Sequence, residues 1–351
     1  MSKKNTSIIS YPKAILESTV QLMQSDKDVV VMGLGVTDPI GILGTTKGLQ
    51  KKFGRDRVFD TPLSEDAMTG VAIGLSMAGL RPIHVHIRVD FLMLAMNQLV
   101  NMAAKMHYMF GGSQHVPIVI RAIIGKSWGQ GAQHSQALHS MLMHVPGLKV
   151  VMPSTPYDAK GCLISAVRDD NPVIFIEHRM LYYQYGPVTK DLYEVPEDKS
   201  RLVRTGSDIT IVGISFMQIE SFRAATYLNS VGISAEVIDP IWLTPLDTKT
   251  IYQSLLKTKR LLVVDNGWLS CGASAEILAR LTEEWSDGPF PQVGRMGFAP
   301  VPCPTTPNLE NLFYPNARTI AAKAYEMVIG KSDWIPEKVD EIEEIEFKGP
   351  F

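Results

Sequence analysis

The chain has 351 residues, 45% hydrophobic and 20% charged, with a formal net charge of −2. That length suggests about two domains around large cores, and the near-zero charge excludes a general electrostatic pull toward nucleic acid or anionic lipid. There is no run of about 18 apolar residues, so no membrane span is expected.

The N-terminal MSKKNTSIISYPKA is basic but lacks the apolar core of a signal peptide, and it is poor in arginine. Cys162, Cys271 and Cys303 are far apart, with no CxxC pair and no metal-ligand spacing. A reducing cytoplasm is the expected compartment.

In chain order, DVVVMG (28–33) predicts a strand and GLQKKFG a helix end. VFDTPLSEDAMTGV (58–71) starts as an apolar β-type run, turns at Asp60-Thr61-Pro62, and opens a small-residue helix at Ser64-Glu65-Asp66. RPIHVHI predicts a strand, DFLMLAMNQLVNMAAKMHYMF (90–110) a long helix, and VPIVIRA and GLKVVMP two strands. TPYDAKGCLISAVRDD reads as a helix and PVIFIEH as a strand. Val- and Ile-rich runs between helices indicate a parallel sheet covered on both faces.

After about residue 185 the chain turns polar, with prolines and mixed charge, and reads as a linker. ITIVGI, SAEVID and RLLVVD are then strands, separated by helices such as SFMQIESFRAATYLNS. The expected organisation is α/β throughout: a first domain over 1–190, a linker over 191–206, a second α/β domain over 207–330, and an acidic tail over 331–351 that wraps a surface or is disordered. No internal repeat is visible.

No phosphate cradle stands out. The chain has no GxxxxGK followed by Ser or Thr, and GLGVTDPIG fails the GxGxxG spacing, so its glycines read as a turn. DNGWLSCGASAE is a glycine-rich loop entering a helix, which tight strand–helix packing explains. On the residues alone Glu65 has two readings. It is an ordinary carboxylate favoured by the dipole of a helix that Ser64 caps, or a functional group. His134, in GKSWGQGAQHSQALHS after a strand, has the same two readings, because ligands bind in loops at strand carboxyl ends.

The order VFDTPLSE, GLRPIHVHIRVDFLMLAMNQLVNMAAK, GAQHSQ, HVPGLKVVMPSTPYDAKGCLISAVRDDNPVIFIEHRMLY resembles one family. It is the β subunit of the thiamine-diphosphate-dependent E1 component of 2-oxo acid dehydrogenases, of the pyruvate dehydrogenase type in the transketolase superfamily. The resemblance covers residues 10 to about 330. It implies a thiamine-diphosphate-binding pyrimidine domain followed by a transketolase C-terminal-like domain.

It further implies that Glu65 hydrogen-bonds N1′ of the aminopyrimidine and so promotes loss of the thiazolium C2 proton, and that the cofactor serves as electron sink for decarboxylation. Leu63 and Ile87 would line the pyrimidine pocket, Phe91 would stack on the ring, and His134 would face substrate or the incoming lipoyl group. A structural potassium would fall on carbonyls of Ile118, Ala166, Val167, Asp169 and Asn171.

In two-chain members the diphosphate and Mg²⁺ sit on an α subunit, in a GDG motif that this chain lacks. The resemblance therefore implies a heterotetramer of two α and two β chains, with the site between unlike chains and E2 as a further partner. The helix over 90–110, rich in Met93, Met96, Met102, Met106 and Met109, suits burial against a partner or a core.

Three departures bear on substrate. Leu34 and Gly35 stand where the family commonly has acids, and VVDNGW replaces an acidic turn that helps dock E2. His84, His86 and Arg88 stand where it is acidic, apolar or small. Arg88 would suit a charged substrate, face solvent, or pair with Asp90. The alternatives are a split transketolase, an acyloin-forming carboligase, or a non-catalytic scaffold subunit.

Overall fold

The Val- and Ile-rich runs form strands buried on both faces, which is why they read as continuous apolar runs rather than alternations. The computed structural model describes residues 5–125 and 129–343. They group into two units, one of 5–124 with 141–197, the other of 125, 129–140 and 198–343. Among the described residues no helix is long and apolar enough to cross a membrane.

The first unit opens with β1 (Thr6–Ser10), α1 (Tyr11–Ser25), β2 (Val29–Gly33), α2 (Leu49–Phe53), β3 (Val58–Asp60) and α3 (Glu65–Met77). It continues through β4 (Arg81–His86), α4 (Val89–Leu92), α5 (Ala104–Met109) and β5 (Val119–Ile124). The short α6 (His139–Met143) begins in the second unit. Then come β6 (Lys149–Val151), α7 (Pro156–Arg168), β7 (Val173–His178) and β8 (Tyr185–Thr189). Its parallel strands lie in the order β6-β7-β5-β4-β2-β3. Sheet order departs from chain order, so helical crossovers cover the faces.

Two expectations need correction here. The helix over 90–110 follows a right-handed path, but its pitch changes: α4, a 3-10 turn at Met93–Ala95, a π turn at Gln98–Ala103, then α5. A Cβ at Gly147 would lie 2.0 Å from the Ala104 carbonyl oxygen, so another backbone presses closely on the end of the π turn. Ser64 occupies the N-cap of α3, but its side chain makes no capping bond.

The second unit contains β9 (Arg201–Arg204), β10 (Ile209–Gly213), α8 (Phe216–Asn229), β11 (Ala235–Asp239), β12 (Trp242–Thr244), α9 (Thr248–Thr258) and β13 (Arg260–Trp268). It ends with α10 (Ala273–Glu284), β14 (Gln292–Phe298), α11 (Pro307–Phe313), α12 (Ala317–Ile329) and α13 (Asp340–Glu343). Its sheet runs β14-β13-β10-β11-β9, parallel except for β9.

The stretch after residue 185 thus carries structure. β8 pairs antiparallel with β1, and β9 forms a half-exposed sheet edge. Their polar composition is that of edge strands, which keep one side in water. The tail is tied down as far as it is described. Trp334 packs on Tyr325, the Arg318 guanidinium donates to the Pro336 carbonyl at 2.8 Å, and the Val339 N–H donates to the Tyr227 hydroxyl at 3.0 Å. Residues 344–351 lie outside the described part.

Candidate functional site

Glu65 is placed by β2 and β3. Gly33 pairs with Asp60 across these parallel strands, and its carbonyl accepts from the Thr61 N–H at 3.2 Å. That bond starts the turn from which α3 departs. Only glycine fits at 33, because a Cβ would stand 2.3 Å from the Val85 carbonyl oxygen. Glu65 is therefore the first residue of α3 at the carboxyl edge of the sheet, half-buried, where the helix dipole favours a carboxylate.

Three large apolar side chains share that edge. Leu63 is 78% exposed, Ile87 46% and Phe91 37%. Leu63 follows β3 and Ile87 follows β4. Only β2 lies between those strands, so their carboxyl ends lie roughly 10 Å apart. The structure thus brings Leu63, Glu65, Ile87 and Phe91 to one rim, an apolar wall beside a carboxylate. Such a surface suits a flat, partly polar ring.

A cluster beneath the rim was only partly legible. His84, His86, Arg88 and His178 are each at most 4% exposed. Arg88 therefore does not face solvent, and its charge lies near His178. The His84 and His86 rings meet edge-on, 4.3 Å apart, and among the described residues neither Nε2 has a hydrogen-bond partner. Burial lowers His84 to about 4 and holds His86 well below its usual range, the neighbouring His84 adding to the latter. Burial and then the Arg88 charge lower His178 to about 3.

All three are neutral when folded, whereas the unfolded chain protonates them near pH 6.5. The unfolded state therefore binds more protons as pH falls below that value. Each histidine should remove about 1.4 kcal/mol of stability per pH unit until its folded pKa is reached. A urea midpoint falling between pH 7.5 and 5, with a shallower fall in His86→Phe, is the expected result. A flat midpoint would refute buried neutral imidazoles.

His134 belongs to the second unit. It is half-buried, and its N–H donates to the Gly131 carbonyl at 3.4 Å. Gly129 and Gly131 have positive φ, 72° and 70°. Both press on Thr305: a Cβ at 129 would lie 2.5 Å from its carbonyl oxygen, and one at 131 would lie 2.6 Å from Cγ2. Five residues on, His139 meets Asp265 at 2.9 Å. That pair has no local sequence signal, because its members are 126 residues apart.

The carbonyls named for potassium gather at the amino edge of the first sheet, opposite Glu65. Arg81 Nη1 donates to the carbonyls of Val167 and Asp169 at 2.9 and 3.1 Å, and the Val173 N–H donates to that of Ile118 at 2.9 Å. A guanidinium thus already supplies positive charge to two of the five residues.

A parallel α/β unit with an apolar, carboxylate-bearing ligand edge, joined to a second α/β unit, is the build of a cofactor-using enzyme subunit. The comparisons agree. Residues 7–184 match the transketolase pyrimidine binding domain, and residues 198–320 match the transketolase C-terminal domain. The β subunit of acetoin:2,6-dichlorophenolindophenol oxidoreductase from Cupriavidus necator is 41% identical over 333 residues, covering 92% of this chain and 98% of that protein. The pyruvate dehydrogenase E1 component β subunit from Gracilaria tenuistipitata var. liui is 41% identical over 313 residues, covering 89% and 97%.

A solved split-gene transketolase, described as an inactive β tetramer of four chains, superposes with a TM-score of 0.75 at 21% identity. It covers 92% of this chain and 99% of the other, and bears on the fold alone. The chain belongs to the β-subunit family of thiamine-diphosphate-dependent 2-oxo acid dehydrogenases.

Proposed function

We propose that this chain supplies the pyrimidine side of a thiamine-diphosphate site, and that an α-type chain supplies the diphosphate and Mg²⁺ side in an assembly of two α and two β chains. The observation that carries this is Glu65 opening α3 at the carboxyl edge beside exposed Leu63, Ile87 and Phe91. These side chains fit the group: the apolar ones would hold the aminopyrimidine ring, and the carboxyl would hold a proton against its N1′.

The bound cofactor supplies the nucleophilic carbon and the electron sink for decarboxylation. This chain's residues orient the ring, exclude water from one face of it, and manage that proton. His134 would serve substrate or acceptor. Potassium at Ile118, Ala166, Val167, Asp169 and Asn171 would brace the amino edge. The three free cysteines suit a reducing cytoplasm.

The α partner draws support from an exposed apolar face. Val71 and Met77 on α3, with Leu94, Met102, Tyr108, Met109 and Phe110, are each at least 38% exposed. So much apolar surface in one unit is what an interface leaves when its partner is absent. The substrate has two readings. A 2-oxo acid such as pyruvate follows from one group of relatives. Acetoin follows from the other, named for it at the same 41% identity. Whether a lipoyl-bearing E2 or a free oxidant takes the product belongs to the same choice.

Calorimetry tests the division of labour. The isolated chain is expected to bind thiamine diphosphate weakly or not at all, because the charged tail and Mg²⁺ need a separate set of oxygen ligands. Co-expression with an α-type chain should give a heteromer that binds it only with Mg²⁺. Tight, Mg²⁺-dependent binding by the lone chain would overturn the reading. On the heteromer, pyruvate, other 2-oxo acids and acetoin with an artificial electron acceptor decide the substrate, and a melt in potassium against choline chloride reads the cation.

A further inference from the structure

We infer that His139 and Asp265 form a buried positioning pair that fixes the His134 loop for its encounter with substrate or acceptor. The inference rests on the reading that His134 acts on one of them.

His134 hangs between two anchors, both within the second unit. On one side Gly129 and Gly131 lie against Thr305, so closely that neither position has room for a side chain. On the other side the His139 Nε2–H donates to the Asp265 carboxylate at 2.9 Å, and both side chains are at most 1% exposed. Asp265 is itself held. It sits on β13, flanked by strands β10 and β14, and its second oxygen faces the Ser274 N–H at the start of α10, 3.4 Å away. The loop is therefore tied to the sheet at His139 and to the Thr305 segment at Gly129 and Gly131.

The fit is tight. A Cβ at Gly267, two residues along β13 on the same face as Asp265, would lie 3.1 Å from His139 Cε1 and 3.5 Å from Nε2. The strand leaves room for the imidazole and nothing more. Among the described residues the Nδ1 of His139 has no hydrogen-bond partner, and the Asp265 bond and this packing set the ring. Neither side chain is reachable by substrate, so the pair cannot be catalytic. It lies five residues from His134, close enough that a shift of the ring displaces the loop. A displacement of about 1 Å at a reacting group costs up to roughly 100-fold in rate.

The test uses the assembled enzyme and two readouts: steady-state turnover, and deuterium exchange at C2 of the bound cofactor, which precedes any role of His134. His139→Ala and Asp265→Asn should lower turnover about tenfold to 100-fold while leaving exchange within about twofold. His139→Gln, which keeps a donor toward Asp265, should recover most of the loss. Gly267→Ala removes no polar group and should lower turnover in the same selective way, which guards against a variant that fails to fold.

The decisive arm is the double variant. If the pair acts through His134, His134→Ala with His139→Ala should be no slower than His134→Ala alone. Multiplied losses, or exchange falling in step with turnover, would overturn the positioning role while leaving His134 in place. Near-normal turnover in His134→Ala would instead overturn the reading beneath it, and the pair's role with it.

Discussion

Glu65→Gln is expected to lower turnover of the assembled enzyme by about 100-fold to 10,000-fold, with assembly and fold intact. The side chain is half-buried at the start of α3, and an amide of nearly the same size fits the same space. Glutamine can still reach N1′, but it cannot take up and release a proton there. The loss therefore falls on activation, and C2 exchange should drop in step with turnover, unlike the His134-loop variants. Sharing a proton with a ring nitrogen works best in a dry environment, which the partner would complete. Near-normal activity in this variant would remove Glu65 from the mechanism.

The second large effect is on stability. Arg121 and Glu177 are at most 1% exposed and meet in two parallel bonds, Nε to Oε1 at 2.6 Å and Nη2 to Oε2 at 2.9 Å. Tyr182 donates to the same carboxylate at 2.6 Å, and Tyr11 stacks on Tyr182 while its own hydroxyl donates to the Pro153 carbonyl at 3.0 Å. Burial, with the Glu177 charge added, raises both phenols well above their usual range, so both remain donors.

Glu177→Gln would leave a buried guanidinium without a counter-charge, at a cost of about 3–5 kcal/mol. Replacing the whole set by apolar residues, as in Arg121→Met with Glu177→Leu and Tyr182→Phe, should recover most of it, because the desolvation of two ions disappears together and no buried hydroxyl loses its acceptor. A urea midpoint that barely moves in Glu177→Gln would show that water reaches this network.

The strands that build the sheets, from DVVVMG to RLLVVD, were legible because strands buried on both faces must be apolar at every position. Glu65, Leu63, Ile87 and Phe91 were named together through a family resemblance rather than periodicity, and their joint role at the carboxyl edge of the sheet is the proposal above. The long helix misled, since residue pattern reports helical path and says little about hydrogen-bond pitch; the π turn at Gln98–Ala103 ends where Gly147 presses on Ala104. Arg88 reads three ways in the sequence, toward a charged substrate, solvent or Asp90, and its burial removes only solvent. An arginine beside a strand end ordinarily seeks water, and here neighbouring strands enclose it with His178.

By itself the sequence determined the α/β class, the order of the main buried strands and the helices between them, and the carboxylate at the start of a small-residue helix. These follow from local apolar pattern and turn chemistry, which act between residues close in the chain. Tertiary structure alone decided the rest. It closed the His84 and His86 imidazoles away from water, matched Arg121 to Glu177 on neighbouring strands, and set His139 against Asp265 across 126 positions of chain. Charge pairing inside a core depends on strand order and register, and these arise only when separate apolar runs are packed into one sheet.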